Sequence, residues 1–129
     1  MNKLDKENVI GISALLVHAA KIDEIYSNHE KDLIKNFIKS YLENNDVNEA
    51  LEKAEQIESS SNQLLNFTNI IKKNSMDIKK DIIEHLWKVI ISDNTIDQYE
   101  SNLMRRICGL IYFPDKECAE IKLKLINSK

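Results

Sequence analysis

Apolar side chains recur at helical spacing along almost the whole chain, and only two glycines and one proline interrupt them in 129 residues. Strands and tight hairpins need turn residues that this sequence does not supply, so the pattern predicts an all-α fold. The stripes divide naturally. Val9, Ile12, Leu16, Ala19 and Ala20 mark a first core helix over 5–22, widened by Leu15 and Ile22. Ser27 with Glu30 writes a capping box for a second helix carrying Leu33, Ile34, Phe37, Ile38 and Tyr41, which Asn44 and Asn45 end. Asp46 with Glu49 opens a third, carrying Ala50, Leu51, Ala54 and Ile57 and running out in Ser59, Ser60 and Ser61.

A weaker fourth helix holds Leu64, Leu65, Phe67, Ile70 and Ile71. The fifth, from Met76 to Ile91, is apolar nearly all round by its end and is expected at the centre, with Trp87 as core packing. Asp97 with Glu100 caps a sixth, whose Leu103, Met104, Ile107, Cys108, Leu110 and Ile111 face inward until Phe113-Pro114 stops it. Asp115 caps a seventh, with Cys118, Ile121 and Leu125 as its weak stripe. The length suits one domain spanning 1–129, a single bundle of about seven helices.

The bundle carries an inexact internal repeat. Seventy positions apart, Asp23 matches Asp93, Tyr26 matches Ile96, Ser27 matches Asp97 and Glu30 matches Glu100, and the likeness continues through Leu33 with Leu103, Ile34 with Met104 and Phe37 with Ile107. One α-hairpin built twice, a pseudo-twofold, is the expectation. Each copy gathers carboxylates at the joint between two helices.

Glu30 and Glu100 have a structural reading at hand, because a glutamate at the third helical position bonds back to the cap and suits the positive helix end, worth roughly 0.5 to 1 kcal/mol. Asp23 and Asp93 do not. Each follows a helix C-terminus, where exposed carbonyls disfavour a carboxylate. Either the next helix's amides compensate, or a cation is shared by Asp93, Asp97 and Glu100, with Asp23 and Glu30 as a weaker or converging set. Oxygen donors of this kind favour Ca²⁺ or Mg²⁺ over Zn²⁺. The second joint is not an EF-hand: Gln98 replaces the glycine of that loop and Met104 its final glutamate.

Other chemistry is thinly written. No glycine-rich phosphate loop and no recognisable nucleophile context occurs, so no enzyme and no catalytic residue is expected, unless His18 or His85 enters an acidic cleft. Cys108 and Cys118 are ten apart with no CxxC, which gives neither a zinc knuckle nor a redox motif and reads as two buried or half-buried thiols, fitting a reducing compartment. Eighteen basic against twenty-one acidic residues give a net charge of -3, leaving no global positive field for nucleic acid. No signal peptide or membrane span is expected, and the cytoplasm is the default address. The rival to a cation site is an interaction module in which the carboxylates only cap helices and Arg105 and Arg106, the only arginines, meet an acidic partner group.

Ala14-Leu-Leu-Val-His-Ala-Ala-Lys-Ile-Asp23, and Leu86 through Asp93, Asp97 and Glu100 to Leu103-Met-Arg105-Arg106-Ile107, resemble the TerB-like family of tellurite-resistance proteins. Members carry a tract like Ala-Asp-Gly-x-Ile-x-x-x-Glu at each of two such joints. The resemblance implies a compact, internally pseudo-symmetric helical fold, a role among stress-response proteins and an acidic cluster for a divalent cation; it implies no established activity. Carried over, the tract's aspartate is Asp23 and Asp93 and its glutamate Glu30 and Glu100, while its glycine is replaced by Glu24 and Asn94. Asparagine tolerates the left-handed backbone that glycine supplies there and glutamate does so poorly, so the first joint is the more altered.

Overall fold

The computed structural model describes residues 5–21, 28–60, 64–91 and 98–127, without the side chains at 44, 64–66 and 98–100. Its helices are α1 (Lys6–Ala20), α2 (Asn28–Lys39), α3 (Asn44–Ser60), α4 (Leu64–Lys72), α5 (Met76–Ile91), α6 (Gln98–Leu110) and α7 (Asp115–Asn127). The boundaries follow local chemistry. Asp5 caps α1, its Oδ1 accepting from the Asn8 amide at 2.8 Å. Helix α6 stops where Tyr112 turns into the left-handed region at φ 59° and the Phe113 amide bonds back to the Cys108 carbonyl at 2.8 Å, just before Pro114. Two ends differ from the sequence expectation: α3 starts at Asn44, with Asp46 inside its first turn, and α2 stops at Lys39. Tyr41 therefore lies in the turn after α2, where its hydroxyl has a partner on α5.

Helices α1 and α5 form the centre. From Val9 to Ala20 every residue of α1 except His18 is buried, and nine residues of α5 are buried, Trp87 among them. Helix α1 packs against α2, α3, α4 and α5; α5 packs against α1, α2, α4 and α7; and α6 lies on α4 and α7. The repeat is visible in burial, since Ile34 and Met104, and Phe37 and Ile107, are buried pairwise. The two copies pack differently, however: α2 leans on α1, whereas α6 finds α4 and α7. Gly11 of α1 lets the Ile70 side chain of α4 settle on the backbone, a close approach that a Cβ would obstruct. No helix among the described residues is long and apolar enough to cross a membrane.

Helix directions follow from pairs of contacts. Lys6 meets Asp46 and Glu49 at 3.6 and 3.2 Å near the starts of α1 and α3, while His18 and Lys21 meet Glu58 at 3.4 and 2.9 Å near their ends. These two helices run parallel. Lys31 at the start of α2 reaches Glu55 late in α3, at 3.9 Å, so α2 runs opposite to both. Tyr41 donates to Asp81 Oδ2 at 2.6 Å, and one helical turn along, the Phe37 and His85 rings meet edge to face at 5.1 Å, so α2 and α5 are antiparallel too. The C-terminal ends of α1, α3 and α5 and the N-terminal end of α2 thus share one end of the bundle.

Candidate functional site

That shared end is where the duplicated acidic tracts attach. Carried on by two turns, the α2–α5 register sets Glu30 level with the C-terminal end of α5. Glu30 is 5% exposed, an unusual degree of burial for a carboxylate, and it sits in the first turn of α2, where the helix dipole favours it. Ion pairs lie toward the same end of the bundle. Glu58 is held by Lys21 and His18, and Glu55 is approached by Lys31.

Of the residues that the sequence singles out for a cation, Asp23, Asp93 and Asp97 lie outside the described residues, and Glu100 falls in the first turn of α6 with its side chain likewise outside. Among the described residues no group of three or more His, Cys, Asp or Glu side chains is arranged to hold a metal ion. His18 faces α3, and its Nδ1 lies 3.4 Å from Glu58. His85 is anchored on its own helix, with Nδ1 at 2.8 Å from the Asp81 carbonyl, and donates there. Arg105 and Arg106 are both exposed on α6, with Arg105 at the rim of a cavity.

This cavity, about 520 Å³ and open to solvent, is the feature that sequence reasoning missed. Trp87 of α5, Ser101, Met104 and Arg105 of α6, and Asp115, Cys118, Ala119 and Lys122 of α7 line it. The Trp87 indole N–H donates to Cys118 Sγ at 3.3 Å, and the Lys122 ammonium stands 5.3 Å from the centre of the Trp87 ring. The two cysteines are free and buried. The Cys108 side chain, with the Trp87 N–H and the Lys122 charge, outweighs burial and lowers the Cys118 thiol below the ordinary cysteine value. The influence of Cys118, then burial, pushes the Cys108 thiol up. A signal for this was present in the sequence: both cysteines sit on the inward stripes of consecutive helices joined by the short Phe113-Pro114 turn.

The family model of tellurite resistance protein TerB matches residues 9–123. Searches of curated proteins and of solved structures give no match.

Proposed function

The chain belongs to the TerB family, and from that premise we propose that it is a non-enzymatic, stress-associated helical protein that binds a divalent cation, Ca²⁺ or Mg²⁺, between its two acidic joints. The observation that carries the reading is the antiparallel register of α2 and α5, which brings the N-terminal end of α2, with buried Glu30, to the end of the bundle where α1 and α5 terminate. Asp23 stands two positions after Lys21, Asp93 two positions after Ile91, and Asp97 and Glu100 flank the start of α6. Three helix C-termini at that end add partial negative charge of their own. A hard cation with six to eight oxygen ligands offsets such a concentration of carboxylates better than the lysines already engaged by Glu58 and Glu55.

Calorimetric titration of the full chain with CaCl₂ and MgCl₂ tests this. The expected result is saturable heat with one ion per chain, abolished in Asp93→Asn and weakened in Glu30→Gln. At a free ion concentration a hundred times the dissociation constant, the melting transition rises by the equivalent of about 2.7 kcal/mol. Silence in wild type, or equal heats in wild type and Asp93→Asn, refutes the proposal.

A further inference from the structure

The α5–α6–α7 cavity is built from other side chains than the acidic joints, and its reading stands without a bound cation. Helix α7 packs against both α5 and α6, and the cavity of about 520 Å³ opens between the three. Part of its lining is apolar. Trp87 and Met104 are buried at its inner side, and Ala119 is exposed nearer to solvent. Its charged groups are two cations against one carboxylate: Arg105, which is exposed, Lys122, which is half-buried with its ammonium 5.3 Å from the centre of the Trp87 ring, and Asp115. Neither Arg105 nor Lys122 takes part in an ion pair among the described residues. In a chain of net charge -3 this is a local excess of positive charge. The apolar surface also continues past the mouth. Leu123 and Ile126 are 57% and 38% exposed, and at four and seven positions after Ala119 they extend the same face of α7.

We propose that this cavity binds a small amphipathic carboxylate, an alkyl chain ending in a single carboxylate group, with the carboxylate held by Arg105 and Lys122 and the chain laid against Met104 and Ala119 and on along Leu123 and Ile126.

Both halves of such a ligand meet their complement. A carboxylate suits the planar fork of the arginine, which takes it by two parallel hydrogen bonds, and the lysine adds a point charge. An alkyl chain removes exposed apolar surface from water along α7. The volume falls within the range of about 300 to 1,000 Å³ usual for small-molecule sites. Other occupants satisfy only one half. Inorganic phosphate engages the cations but leaves the apolar lining wet and sets more negative charge beside Asp115, whereas a neutral alcohol covers the lining and leaves both cations unpaired. A helix that lies on an anionic lipid surface ranks its basic residues along its own polar face, but here the two cations come from two helices and line one concavity, which suits a single free molecule.

Trp87 is the only tryptophan of the chain and lines the cavity, so its emission reports on occupancy. The full chain is titrated with sodium decanoate below its micelle concentration, followed by Trp87 fluorescence and by calorimetry. The expected result is saturable binding of one decanoate per chain. Arg105→Gln and Lys122→Gln should each raise the dissociation constant about tenfold, and decanol and inorganic phosphate should bind wild type more weakly than decanoate by at least that factor. Leu123→Gln should weaken decanoate binding, while Lys124→Gln, exposed on α7 outside the lining, should leave it unchanged. The comparison of decanoate with decanol and phosphate uses wild type alone and decides the matter if a variant fails to fold. Absence of saturable binding in both readouts, many decanoates per chain, decanol binding as tightly as decanoate, equal affinities in wild type and Arg105→Gln, or binding to phosphatidylglycerol vesicles without binding of free decanoate overturns the proposal.

Discussion

Tyr41→Phe tests the contact that fixes the register of α2 against α5, and so the meeting of the two joints at one end. The substitution removes only the hydroxyl; the ring keeps its tilted packing on Phe37, 5.2 Å away. What is lost is an O–H···O⁻ bond of 2.6 Å to Asp81. Hydrogen bonds to charged groups contribute about 1.5 to 3 kcal/mol. Because the Asp81 side chain is 34% exposed and water can replace the hydroxyl, the low end applies, about 1.5 kcal/mol. With a urea slope of about 1.5 kcal/mol per molar for a chain of this size, the midpoint should fall by about 1 M. Asp81→Asn and the double variant complete a cycle whose coupling should be about 1 kcal/mol. Burial, then the Asp81 hydrogen bond, hold Tyr41 well above the ordinary 10.0 in the folded chain. A raised folded pKa contributes stability that is full below pH 10 and lost as pH climbs beyond it, so the gap between wild type and Tyr41→Phe should close above pH 10. A loss under about 0.5 kcal/mol at pH 7, or an additive cycle, refutes the claim that this bond fixes the register.

Substitutions at two further sites probe the core, one in each direction. Phe37→Ala empties a fully buried ring site between α2 and α5 and should cost about 3 to 5 kcal/mol in urea unfolding, while the conservative Phe37→Leu should cost markedly less. Ser13→Ala should stabilise the chain by about 1 kcal/mol, because the Ser13 hydroxyl is buried in α1 without a hydrogen-bond partner and alanine is the better helix former; a drop in the urea midpoint would show that the hydroxyl has a role in the core.

The helices were legible because their signals are local. Stripes such as Ile82, Ile83, Leu86 and Ile90 declare a buried face, and caps such as Asp5 declare a start, with no knowledge of the rest of the chain. Tyr41 shows the limit of that reasoning. Its spacing continues the α2 stripe, yet its hydroxyl finds Asp81 forty residues away, and the helix ends before it. The cysteines show the same limit from the other side. Sequence spacing rules out CxxC, but the Trp87 N–H reaches Cys118 only through the fold of α7 back onto α5, and Lys122 stands over the same ring. The packing of α6 on α4 and α7 likewise departs from a strict copy of the first hairpin, since a repeat in sequence fixes which residues turn inward and leaves the choice of neighbour to the rest of the chain.

Electrostatics ties the architecture to the acidic end. Parallel packing of α1 with α3, and both against an antiparallel α2, sets helix C-termini side by side, and adjacent like poles repel. Lys21, one residue past α1, and His18 in its last turn both reach Glu58, so two basic groups at a helix C-terminus are tied to a carboxylate that is itself near another C-terminus. Such pairs commit basic groups at this end to Glu58. Asp23, Glu24, Asp93, Asp97 and Glu100 belong to the tracts that follow α1 and α5 from this same end, against which the neighbouring N-terminus of α2 supplies only about half a unit of positive charge. The deficit of positive charge is a property of the joined ends, not of either joint alone. A cation held there should therefore depend on both copies: Glu30→Gln in the first and Asp93→Asn in the second should each weaken ion binding, and an ion whose affinity ignores Glu30 would show instead that the second joint works by itself.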